Sequence, residues 1–223
     1  MAADFTAARE RMIEVQLAGR GIRDPRVLAA MRTVPRERFV GAGMEALAYE
    51  DSPLPIGAGQ TISQPYIVAL MAQAAEIEPG DRVLEVGAGS GYAAAVLSRL
   101  AGRVVAIERH ASLADEARER LAALGYDNVA VHVGDGSTGW PGEGPYDAIL
   151  VAAGAPEPPP ALCAQLAIGG RLVVPVDAGD DHQRLRRIRR IDEERFEHED
   201  LGAVRFVPLI GTQGWAGHDA PDR

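Results

Sequence analysis

Apolar residues in this chain come in short blocks separated by longer amphipathic stretches, and that alternation predicts the fold. Residues 4–18 read as a helix with Met12, Ile13 and Val15 in its apolar stripe. A second helix runs through Val34 behind Asp24-Pro25, where Asp caps the first turn and Pro fits its first position. Pro35 to Gly59 is irregular and rich in Gly and Pro, and a third helix is expected from about Tyr66 to Ile77, closed by Pro79-Gly80. Strands at 82–86, 103–107, 129–133, 147–151 and 171–176 then alternate with helices at 92–101, 113–124 and 159–167. Residues 183–191 and 203–208 read as two more strands. Such an order predicts an α/β fold, a mostly parallel sheet with helices on both faces and an antiparallel C-terminal edge. The whole of 1–223 is expected to form one domain: a helical and loop part (1–79), a sheet core (80–209) and a tail (210–223).

The connection after the first of these strands carries the chemistry. Val83, Leu84 and Val86 lead directly into Gly87, Gly89 and Gly91, and Ala93, Ala94, Val96, Leu97 and Leu100 open the next helix. Strand, glycine turn and helix form a nucleotide-cofactor device, because glycines permit the turn and let a ligand touch the backbone. A dinucleotide fingerprint places its third small residue five positions after the first, where this chain has Tyr92. Glu85, two residues before the turn, would also repel a pyrophosphate. A cationic cofactor without phosphate fits better, and S-adenosylmethionine has that character. Glu108 ends the next strand, where an acid suits two ribose hydroxyls; as an alternative it caps the following helix, although Ser112 is the better cap. Gly134-Asp135-Gly136 ends a third strand, and its Asp suits an adenine amino group, although alone it is a turn signal.

Composition narrows the classes. The chain has 223 residues, 47% of them apolar, with no apolar run near the ~18 residues of a membrane span. Its start shows no signal-peptide pattern, which gives the expectation of a cytoplasmic protein. The lone Cys163 leaves no intramolecular disulfide or cysteine-based metal site, and no metal is expected. A formal charge of −9 argues against general nucleic-acid binding. All basic residues are arginine, a compositional bias. The run Arg184-Leu-Arg-Arg-Ile-Arg-Arg-Ile191 has strand spacing with acids after it, and reads as a solvated hairpin. Trp140 and Trp215 either line a groove or pack loops.

Gly57 to Pro65 has two readings. Ser63-Gln64-Pro65 is a helix start with Ser as N-cap; equally, a helix N-terminus beside Thr61 and Ser63 is a seat for a carboxylate.

Taken together, Val34-Pro-Arg-Glu-Arg-Phe-Val40, Leu54–Pro65 with its Thr-Ile-Ser centre, Leu84–Tyr92, Val105–Arg109, Leu124–Val129, Gly134–Gly136, Tyr146–Ile149, Gln165–Pro175 and Val204–Leu209 closely resemble the protein-L-isoaspartate O-methyltransferases. The likeness runs through nearly the whole chain in order. It implies a Rossmann-like class I methyltransferase fold, S-adenosyl-L-methionine as cofactor, and methylation of the carboxylate of L-isoaspartyl residues in proteins and peptides. Carried over by position, Ser63 becomes the active-site serine, with Thr61, Ile62 and Gln64 in the substrate loop. Cofactor contacts fall on Glu85, Gly87, Ala88, Gly89 and Gly91, on Glu108 with Arg109, and on Asp135 with Gly136. Gln213, in a loosely matching tail, is a weaker candidate. Departures include Ala88 where Thr or Ser is commoner, and Gly154 in a small-residue run.

An isoaspartyl carboxylate, with a pKa of about 4, is already ionised at neutral pH. No general base is needed, so His110, His132, His182, His198 and His218 read as surface or loop residues. A monomer is expected. The rivals are a relative that esterifies another carboxylate, a non-catalytic cofactor-binding regulator, and a dehydrogenase, which the glycine spacing disfavours.

Overall fold

The computed structural model describes residues 4–179 and 182–217, so His218 lies outside the described residues. Helix α1 (Thr6–Arg11) continues as a π turn (Met12–Leu17) and a 3-10 turn (Ala18–Arg20), and α2 (Pro25–Thr33) starts at Asp24, whose carboxylate accepts from the Arg26 N–H at 2.8 Å. A two-stranded hairpin, β1 (Leu54–Gly57) and β2 (Gln60–Ile62), leads into α3 (Pro65–Ala74). The sheet core follows: β3 (Arg82–Val86), α4 (Tyr92–Ser98), β4 (Arg103–Glu108), α5 (Ala111–Ala123), β5 (Val129–Val133) and β6 (Tyr146–Val151). Helix α6 (Pro160–Ala164), β7 (Leu166–Asp177), β8 (Gln183–Arg190) and β9 (Phe196–Val204) complete it.

The strand order is β5-β4-β3-β6-β7-β8-β9, parallel up to β7 and antiparallel beyond. Central strands covered on both faces read as continuous apolar runs, and β3 shows why. Its Val83 faces a core shared with the N-terminal helices, while Leu84 and Val86 belong to a second core on the opposite face. The order reverses at β3, between β4 and β6. Clefts outside the strand ends form at such a switch point.

Several expectations need correction. The stretch read as irregular before Gly59 contains β1, a strand too short and too rich in Pro and Gly to show a period. The last strand is 196–204 rather than 203–208. Its residues Glu197, Glu199 and Asp200 are exposed on an edge strand, so the apolar signal is missing there. The apolar stretch after it leaves the sheet, burying Phe206 and Leu209 over the strand ends. The N-cap of α3 is Gln64, without a side-chain cap bond, so Ser63 is not the cap. Ser112 does not cap α5 either, since the N-cap is His110.

The arginine-rich segment is β8, as the hairpin reading expected. Leu185 and Ile188 are buried, Arg184 and Arg186 pair with Asp200, and Arg187 and Arg189 pair with Glu76. Both tryptophans pack loops: Trp140 stacks on His132 with centroids 4.1 Å apart, and the Trp215 indole donates to the Gly154 carbonyl at 3.0 Å. Cys163 is half-buried against the second core.

Candidate active site

At the C-terminal ends of β3 and β4 lies a cleft of about 370 Å³. Its floor is the turn after β3. Gly87 and Gly89 adopt φ of +90° and +53°, and the Gly87 and Ala88 N–H groups donate to the Ile107 carbonyl. A Cβ on Gly136 would sit 2.4 Å from Val86 Cγ1, so that position takes no side chain.

Two carboxylates flank this floor. Glu85 is 1% exposed and Glu108 5% exposed. Glu108 accepts from the Gly89 N–H and the His110 N–H, both at 2.9 Å, so it ties the glycine turn to the start of α5. Glu85 Oε2 is buried with no hydrogen-bond partner. Burial, with Glu108 beside it, pushes the Glu85 carboxyl well above the usual carboxylate range. No cation stands against either acid among the described residues, apart from Arg109, an exposed side chain at the rim. The pair therefore suits a cationic ligand.

Thr61, Ile62 and Ser63 also line the cleft, with Ile62 buried and Ser63 half-buried. The cleft thus unites Thr61, Ile62, Ser63, Glu85, Gly87, Ala88, Gly89, Glu108, Arg109 and Gly136. It leaves out three residues carried over with them. The Gln64 carbonyl accepts the first N–H bonds of α3. Gly91, at φ +86°, starts α4 and packs against Ala117 and Leu121. The Asp135 carboxylate is engaged by Ser137 and by the N–H and hydroxyl of Thr212. Although burial pushes the Asp135 carboxyl up, these donors outweigh it and hold it below the usual range.

The family model described as protein-L-isoaspartate(D-aspartate) O-methyltransferase matches residues 7–214. The chain belongs to the protein-L-isoaspartate(D-aspartate) O-methyltransferase family. It is 61% identical over 215 residues to protein-L-isoaspartate O-methyltransferase 1 of Rhodopseudomonas palustris (strain HaA2), covering 96% of this chain and 88% of that one. Protein-L-isoaspartate O-methyltransferase 2 of Pelobacter propionicus is 61% identical over 207 residues, covering 93% and 92%. Among solved structures, a protein-L-isoaspartate O-methyltransferase superposes with a TM-score of 0.83 at 30% identity, covering 92% of this chain and 67% of that one. A Plasmodium falciparum structure titled as a putative protein-L-isoaspartate O-methyltransferase, in complex with S-adenosyl-L-homocysteine, gives 0.76 at 28% identity, covering 91% and 98%.

This isoaspartate-methyltransferase family member has cleft residues that the sequence reading missed. His110 sits in the loop before α5, as expected, and its place at the N-cap, two residues after Glu108, carries it to the cleft with Nε2 buried and without a hydrogen-bond partner. Val207, Pro208, Leu209 and Ile210 form a further wall. Val207, Pro208 and Leu209 fall in the Val204–Leu209 stretch of the family resemblance. Gln213 is not a wall residue: its side-chain oxygen accepts the Ala161 N–H at 2.8 Å.

Proposed function

We propose that this chain repairs proteins by transferring a methyl group from S-adenosyl-L-methionine to the free carboxylate of L-isoaspartyl residues. The products are the methyl ester and S-adenosyl-L-homocysteine. One observation carries the site assignment: two buried carboxylates without a buried counter-cation flank a glycine-rich turn, in one cleft with Thr61–Ser63. Such a floor suits a sulfonium and an ammonium and disfavours a phosphate. The unpartnered Glu85 Oε2 is an acceptor available to such a ligand.

When bound, S-adenosyl-L-methionine supplies a methyl group on a positively charged sulfur with a neutral leaving group. Glu85 and Glu108 hold the cationic cofactor, and Gly87, Ala88, Gly89 and Gly136 leave room for its close approach. Ser63 orients the substrate carboxylate, with Thr61 and Ile62 beside it. That carboxylate is ionised at neutral pH, so no residue needs to take its proton. In-line placement then supplies up to ~7–11 kcal/mol of the barrier reduction. Val68, Tyr92 and Leu209 give the cleft part of its apolar lining.

The reading carries with it a cytoplasmic monomer acting on damaged proteins and peptides, with no nucleic-acid or membrane partner. The net charge of −9 and the single cysteine support it. Among the described residues no helix is long and apolar enough to cross a membrane. The test is incubation with methyl-labelled cofactor and matched isoaspartyl and aspartyl peptides. Label is expected only in the isoaspartyl peptide; equal labelling of both, or none, overturns the reading.

A further inference from the structure

Arg36 is 0% exposed and heads the largest fully buried side chains among the described residues. Its Nε donates to the Ala48 carbonyl at 2.7 Å and its Nη2 to the Ser63 carbonyl at 2.8 Å, while Nη1 is buried with no partner. The guanidinium lies over the Tyr92 ring, 4.7 Å from its centroid. Ser63 and Tyr92 both line the cleft, so Arg36 stands directly behind two of its walls.

What the side chain lacks is an anion. No ion pair among the described residues includes Arg36. Asp51, the nearby acid, pairs with Arg20 and accepts the Tyr66 N–H, and the Tyr49 hydroxyl is bound to Glu37. A guanidinium does not lose its proton inside a protein, and a buried unpaired charge is costly. Arg36 is also the single buried cation among the described residues, whereas the buried acids, Glu85 and Glu108, both lie on the cofactor side of the cleft.

We propose that Arg36 is a positioning residue for the methyl transfer: it fixes the Ser63 backbone through its fork and leaves a buried positive charge to be balanced by the substrate carboxylate. The inference rests on the reading of Ser63 as the seat of that carboxylate. Tyr92 is the medium between the two, with its ring against the guanidinium and its edge held by Phe39 and by a 3.7 Å contact to the Met31 sulfur.

The experiment compares binding of an isoaspartyl peptide with an isoasparaginyl peptide of the same sequence, by calorimetry in saturating S-adenosyl-L-homocysteine. The two peptides differ in charge and not in shape. Wild type is expected to prefer the carboxylate by about tenfold or more. Arg36→Gln should bring that ratio close to one while the affinity for S-adenosyl-L-homocysteine stays within about twofold. Arg36→Lys, which keeps the charge and loses the fork, should retain the preference and lower kcat about tenfold or more. A ratio that survives Arg36→Gln overturns the inference. So does an Arg36→Lys protein that loses carboxylate preference and cofactor affinity together, the behaviour of a purely structural strap; this arm decides even if Arg36→Gln fails to fold. A wild type without any preference would instead refute the substrate assignment itself.

Discussion

Ser63 and Glu85 are the residues whose roles the structure sharpens most. Because Gln64 is the N-cap of α3 and makes no side-chain cap bond, Ser63→Ala should avoid the ~0.5–2 kcal/mol loss that removing a helix cap brings. Thermal unfolding should therefore be nearly unchanged, while turnover falls on the order of 10²-fold from lost alignment and cofactor affinity holds. A matching fall in melting temperature would mean that the serine is structural after all. Glu85 gives a pH signature. Its carboxyl is raised by burial and by Glu108, so above the ordinary glutamate value of 4.5 the native chain keeps a proton that the unfolded chain has released. Stability of the ligand-free protein therefore falls as pH rises from there, levelling off above the folded value. Glu85→Gln removes the titration, and its melting temperature should exceed wild type at pH 8 and converge with it near pH 4. A constant offset across that range would contradict the assignment. The same variant should bind S-adenosyl-L-methionine more weakly, since the acid facing the cationic ligand is gone.

Between elements, contacts explain glycines that the chain alone leaves unaccounted for. Gly154 follows β6 where the family pattern has other small residues. A Cβ there would lie 2.1 Å from Gln183 Nε2 on β8. Gln183 is 2% exposed, and it holds the Phe206 backbone by accepting its N–H at 2.7 Å and donating to its carbonyl at 3.2 Å. Gly154→Ala must displace that amide and leave the Phe206 groups unsatisfied. Denaturant titration should show a loss of ~1–3 kcal/mol, and Gln183→Ala in the same background should recover part of it. An undiminished midpoint in Gly154→Ala would show that Gln183 has another place to go.

For the whole molecule, the return of the chain across the strand ends supplies one wall of the cleft. Leu209 and Ile210 wall it, and the segment beyond them is held by Thr212 on Asp135, by the Gln213 N–H on Ser137 at 2.9 Å, and by Trp215 on Gly154. Asp135→Ala removes the bonds to Thr212 while sparing the cleft walls. It should speed dissociation of S-adenosyl-L-homocysteine several-fold with a smaller change in association rate, measured by stopped flow. Equal rates in the variant would show that the tail is held without Asp135.

Much of this was legible in the chain. Short apolar strands buried on both faces leave continuous runs, and glycines at a turn that must run with positive φ leave a spacing, so β3, β4 and the floor of the site could be read directly. The order of motifs likewise pointed to the carboxyl methyltransferases. Tertiary structure alone decided what faced what. It engaged Gly91, the Gln64 carbonyl and the Asp135 carboxylate with α4, α3 and the tail. It brought in His110 and the 207–210 segment, and it set Arg36 behind Ser63 across 27 residues of sequence. Local patterns record which residues are buried and where the backbone turns. Which buried charge stands behind which wall depends on contacts between distant segments, and those exist only once the chain has packed.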